Sequence, residues 1–133
     1  MSEASDYVEN QILDCYLNQS NITAPSAIYL GLHTASPTDD ASGTEVSGNG
    51  YARVAITTKF DAASGTGGSL SSNADITGFA ASGGSWGTVS HVGIWDASTS
   101  GNLLFHTALD SSAAVNDGDS YQINSGNLTI TVA

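Results

Sequence analysis

Basic residues are almost missing from this sequence. Arg53 and Lys59 alone stand against thirteen carboxylates in 133 residues, giving a formal net charge of −11. A phosphate backbone is held by Lys and Arg that displace its counterions, so nucleic acid is excluded as a partner. The same deficit argues against an anionic membrane surface. Charge of either sign is scarce, at 11% of residues, against about a quarter in an average globular domain. Cysteine is limited to Cys15, so no intrachain disulfide can form. No apolar run is long enough to cross a membrane. The N-terminus lacks the basic region and apolar stretch of a secretion signal, so the chain is expected not to be secreted.

What remains is a chain whose polarity comes from Ser, Thr, Asn and Gly, a composition suited to turns and strand surfaces. Its length supports one hydrophobic core and not two, and residues 1–133 read as one domain. Residues 5–17 carry a helical pattern, with Val8, Ile12, Cys15 and Tyr16 on one face. Ser5 is placed to cap that helix, and Asp6 and Glu9 suit the positive end of its dipole. The stripe is expected to pack on its own sheet or to dock on a neighbouring subunit, and Cys15 to serve as a small buried hydrophobe.

From residue 26 to 133 the pattern is strands and turns. Half-buried alternation marks 28–33, where Leu30 and Leu32 oppose Gly31 and His33, and 51–57, where Ala52, Val54 and Ile56 oppose Tyr51 and Arg53. Further strands are expected near Leu70 and over 76–79, 88–95, 103–109, 121–123 and 128–132. Turn-rich stretches separate them at 34–50, 61–69, 81–85, 98–101 and 116–118, the last read as a hairpin turn. The sum is an all-β fold: an antiparallel, jelly-roll-like β-sandwich of about seven or eight short strands with one N-terminal helix. The 36–50 segment is the longest irregular one, and a connection of that length is either mobile or engaged with something.

Motifs for chemistry fail on context. Gly83-Gly-Ser85-Trp-Gly87 matches G-x-S-x-G, but that serine works on a strand-to-helix turn of a large parallel sheet, and here a strand follows. His33, His91 and His106 lie on separate strands with no ligand spacing. Asp39-Asp40 and Asp117-Gly-Asp119 offer carboxylates without the ligand series of an EF-hand. No catalytic residue, metal site or cofactor is expected. Trp86 and Trp95 are read as core, with a stacked carbohydrate platform as the alternative.

Four segments carry a resemblance. They are Ile28-Tyr-Leu-Gly-Leu-His-Thr-Ala-Ser-Pro-Thr-Asp-Asp40, Gly43-Thr-Glu-Val-Ser-Gly-Asn-Gly-Tyr-Ala-Arg53, Trp86-Gly-Thr-Val-Ser-His-Val-Gly-Ile-Trp-Asp96 and Gly101-Asn-Leu-Leu-Phe105. Together they resemble a family of small tailed-bacteriophage virion proteins, often labelled tail-fibre or virion structural proteins. The resemblance implies a β-rich module that works by assembly in the virion, built in the host cytoplasm, with no catalytic residues. Within it, the first expectation is a capsid decoration or cement protein, contacting copies of itself (as dimer or trimer) and the major capsid protein. The alternative is a small tail component, a fibre, tip or baseplate knob that touches the host. A stand-alone carbohydrate-binding module is the third reading.

Candidate contact residues are Val8, Ile12 and Tyr16 on the helix, Asp39, Asp40 and Glu45 in the long loop, and Tyr51 and Arg53 beyond it. Arg53, one of two bases, is a candidate for a fixed ion pair, within the fold or across a subunit contact.

Overall fold

The computed structural model describes residues 2–63 and 67–132; residues 64–66, inside the expected 61–69 turn, lie outside the described residues. Among the described residues the elements run β1 (Ser2–Ala4), α1 (Asp6–Leu17), β2 (Tyr29–His33), β3 (Val54–Ala55), β4 (Ser69–Ser71), β5 (Ile76–Ala80), β6 (Gly87–Trp95), β7 (Leu103–Val115), β8 (Ser120–Ile123) and β9 (Thr129–Thr131). Every strand pairing is antiparallel. A five-stranded sheet has the order β1-β7-β6-β2-β3, and two two-stranded sheets pair β4 with β9 and β5 with β8. The fold is all-β and sandwich-like with one short helix, as the turn-punctuated sequence implies.

Alternation explains the core. Leu30 and Leu32 of β2 and Val92 and Ile94 of β6 join Ile76, Phe79, Ile123 and Ile130 from the smaller sheets in one buried cluster. Tyr51 and Trp86 meet edge to face at 5.4 Å, and Phe79 lies edge-on to Trp86 at 6.5 Å, the arrangement aromatic quadrupoles favour. The turn at Gly48, Asn49 and Gly50 runs through three left-handed residues. It delivers the Asn49 carbonyl to the indole N–H of Trp86 at 3.0 Å.

Four local expectations change. A strand precedes the helix: β1 forms an edge of the large sheet, pairing Ser2 to Ala4 with Thr107 to Phe105. Three residues are too few to show a period of two, so this strand leaves no sequence signature. The 51–57 stretch pairs only at Val54 and Ala55, and Ala52 is exposed. There the amide of Leu32 donates to the Tyr51 hydroxyl at 2.9 Å, so a side chain stands where a third strand would have accepted. β2 is buried on both faces, His33 and Gly31 included, because the side chains of Glu45, Tyr51 and Trp95 close over Gly31 while the 36–50 segment pairs along its edge at a His33–Glu45 bridge. Its contacts are Thr34 N–H to the Thr44 carbonyl at 3.0 Å and Val46 N–H to the Leu32 carbonyl at 2.9 Å. Finally, 116–118 is not a hairpin turn. It carries the chain from the large sheet to β8, whose partner is β5.

The outer face of the large sheet depends on two glycines, Gly31 and Gly93, which are cross-strand partners. A Cβ on Gly93 would lie 2.9 Å from Leu103 Cδ1, 3.0 Å from His33 Nε2 and 3.1 Å from Trp95 Nε1. Gly93→Ala should therefore destabilise the protein by about 1–3 kcal/mol through overpacking. A urea unfolding curve with unchanged slope and a lower midpoint checks this.

Candidate functional site

Three separate places hold the candidate contact residues. The first lies over the outer face of the large sheet, where the long loop, the segment entering β3 and the β6–β7 turn converge. Arg53 is its centre. Its Nε and Nη2 donate to the two carboxylate oxygens of Glu45, each at 2.8 Å, a bidentate pair that suits the planar guanidinium. Its Nη1 donates to the carbonyls of Ala97 and Ser100, also at 2.8 Å. The guanidinium carbon stands 3.9 Å from the centroid of the Trp95 ring, within cation–π range. The Arg53 side chain is only 6% exposed, so one of the two bases of an acidic chain is held inside it, paired within its own fold.

Glu45 also accepts from the Tyr51 hydroxyl at 2.6 Å. Burial opposes its charge, but the hydrogen bonds from Arg53 and Tyr51 and the Arg53 charge prevail and hold its carboxyl below the usual range. The Tyr51 phenol moves up, through burial first and then through the adjoining Glu45 carboxylate. His33 stacks on Trp95 at 6.0 Å, and neither its ring nitrogens nor the Trp95 indole N–H find a partner among the described residues. Burial, with the Arg53 and His91 charges, pushes His33 down to about 4, so it is neutral at pH 7.

The second place is the start of the long loop. Asp40 is exposed, and hydrogen bonds from Ser42 and Thr38 keep its carboxyl below the ordinary value. Asp39 points elsewhere, its Oδ1 lying 2.8 Å from His106 Nε2 of β7. Its carbonyl accepts the N–H of Asp6 at 3.0 Å, which ties this loop to the start of α1.

The third place is α1. Ser5 caps it, accepting from Val8 N–H at 3.3 Å, and its hydroxyl donates to the Leu103 carbonyl. Val8, Ile12 and Cys15 are half-buried against the sheet end, so the stripe is only partly covered and Cys15 is not the buried hydrophobe expected. Tyr16 is 77% and Leu17 78% exposed, with Leu13 and Ile22 also exposed. An apolar surface of this kind, adjoining a half-covered stripe, suits contact with another protein.

Ser85 of the G-x-S-x-G match donates to the Val115 carbonyl and accepts from Gly87 N–H, each at 3.0 Å, with no base in reach among these bonds. Trp86 and Trp95 are 6% and 7% exposed, so neither presents a face on which a sugar could stack, and the carbohydrate platform is overturned. Sequence reasoning brought Glu45, Tyr51 and Arg53 forward but missed Trp95 and His33 as their partners. The pairing of Tyr29 with Trp95 and of His33 with His91 across β2 and β6 follows only once register is known.

Residues 3–131 match the protein-family model described as Podophage GP4 fiber I protein gp80. No curated protein matches the chain.

Proposed function

The chain belongs to the podophage GP4 fibre I protein family, and from that premise we propose that it is a non-enzymatic component of a phage tail fibre. The observation that carries this reading is the family match over residues 3–131. It favours the tail over the capsid decoration role that came first from sequence. The chain has no heptad repeat, the pattern from which a long coiled-coil shaft is made. A compact sandwich fits a short module mounted on a fibre or at its attachment point. Its location is then the virion. No described helix is long and apolar enough to cross a membrane.

The partners proposed are further copies of the chain and other tail proteins. The contact surface proposed is the exposed side of α1 with Leu13, Tyr16, Leu17 and Ile22. Deleting residues 1–17 is a poor test, because it also removes β1 from the large sheet. Tyr16→Ser with Leu17→Ser is a better one. Folding stability should change by no more than about 0.5 kcal/mol, since both side chains are exposed, while incorporation into particles should fall several-fold by immunoblot of purified phage. Full incorporation of the double variant removes α1 as the attachment face. Quantitative mass spectrometry of wild-type particles tests the tail reading itself: on the order of a dozen copies fits a tail ring or fibre set, and hundreds fit the capsid.

A further inference from the structure

We propose that Glu3, Asp39 and His106 form a binding site for one divalent transition-metal ion of the zinc class, which fastens the N-terminal strand to the long loop. Glu3 and His106 are cross-strand partners in the β1–β7 ladder, so their side chains leave the same face of the sheet. Asp39 reaches that face from the loop, held by the hydrogen bond between its carbonyl and Asp6 N–H. His106 Nε2 lies 2.8 Å from Asp39 Oδ1 and 3.7 Å from Glu3 Oε2, and the three donor atoms lie within 4.8 Å of one another.

Those separations suit a metal. Two ligand atoms at about 2.0–2.2 Å from a tetrahedral zinc are roughly 3.3–3.5 Å apart, and the observed distances fall on either side of that value. The imidazole is fixed, its side chain 6% exposed, while the Glu3 and Asp39 side chains are 62% and 48% exposed. The two carboxylates can therefore each shift by a few tenths of an ångström around an anchored nitrogen. The ion would take the place of hydrogen on Nε2, and the ring, bound as neutral imidazole, would carry its single N–H on Nδ1.

One nitrogen with two carboxylates is a borderline donor set. It suits zinc or its neighbours better than calcium or magnesium, which take oxygen ligands. An open cleft of about 510 Å³ is lined by Glu3 and Asp39, with Glu9, Ile12 and Thr131, giving solvent access to the two carboxylates and room for a water in the fourth position. A net charge of −11 raises the local concentration of cations at any such opening.

Isothermal titration of zinc chloride into the full chain, stripped with chelator and exchanged into metal-free buffer, tests the site. One ion per chain should bind, the thermal midpoint should rise with added zinc, and Co²⁺ should give the visible bands of a tetrahedral N/O site. Glu3→Gln and Asp39→Asn, both at exposed side chains, should each weaken zinc binding at least tenfold. Asp117→Asn, remote in the fold, should leave it unchanged. No saturable binding overturns the proposal. So does binding that survives Glu3→Gln combined with Asp39→Asn, since the ion would then sit elsewhere on an acidic surface.

Discussion

Arg53→Ala is expected to cost the folded protein about 3–5 kcal/mol, the range found when one partner of a buried ion pair is removed. Four hydrogen bonds are lost at once. Glu45, whose side chain is 23% exposed, is left as a carboxylate with only Tyr51 as donor among the described residues. The carbonyls of Ala97 and Ser100 lose the donor they share. The Trp95 ring loses the flat cation that covers it. For a chain of this length such a loss lowers the thermal midpoint by about 10–20 °C. Arg53→Lys should recover only part of it, because an ammonium has neither the bidentate fork nor the planar face. Thermal unfolding followed by tryptophan fluorescence measures both variants. A shift for Arg53→Ala below about 1 kcal/mol, the level of an exposed pair, would mean that the cluster is not the joint described.

Acid should destabilise the protein through His33. Its pKa is pushed down to about 4 from an ordinary 6.5, so between those values the unfolded chain binds a proton that the folded chain refuses. Stability is therefore full above about pH 6.5 and falls as the pH drops through the window to 4, by about 3 kcal/mol in total at 1.36 kcal/mol per unit. His91, lowered by its burial and by the charge of His106, adds a contribution of the same sign. Glu45 adds to the loss at lower pH, since its depressed carboxyl must then take up a proton. Urea midpoints at pH 7 and pH 5 separate these groups. His33→Phe, whatever its stability at pH 7, should lose most of the difference between the two pH values. An undiminished difference in that variant would assign the acid response to other groups.

The two predictions concern one structure, and it bears on how far the sequence could be read. Alternation of apolar and polar residues fixes a strand wherever a run is long enough, as at Leu30 and Leu32 or Val92 and Ile94. The same rule assumes that the other face meets water. It fails for β2, where Glu45, Tyr51 and Trp95 close over Gly31 and His33 stacks on Trp95, and the 36–50 segment that supplies Glu45 is itself ordered by a buried Pro37 and Val46. Nothing local in a run of Ser, Thr, Asp and Gly distinguishes such a segment from a mobile one. Arg53 could be singled out because bases are so rare, but its partners Glu45, Ala97 and Ser100 come from two other loops and follow only from the register of β2, β3 and β6. Glu3, Asp39 and His106 are more remote still, with His106 lying 67 residues from Asp39 along the chain. Metal-ligand spacings in sequence detect sites built on one turn or hairpin, and this one spans a terminal strand, a loop and a central strand.

On the proposed tail reading, the loop cluster and the proposed metal clasp are two means of stiffening a small acidic module. The most direct test of that assignment is an electron-microscopy map of the intact particle at a resolution that identifies this fold. The sandwich should appear in the tail, in a fibre or at the point where fibres attach, with the exposed Tyr16 and Leu17 side of α1 against a neighbouring subunit. Density for the same fold repeated over the capsid lattice and missing from the tail would contradict it.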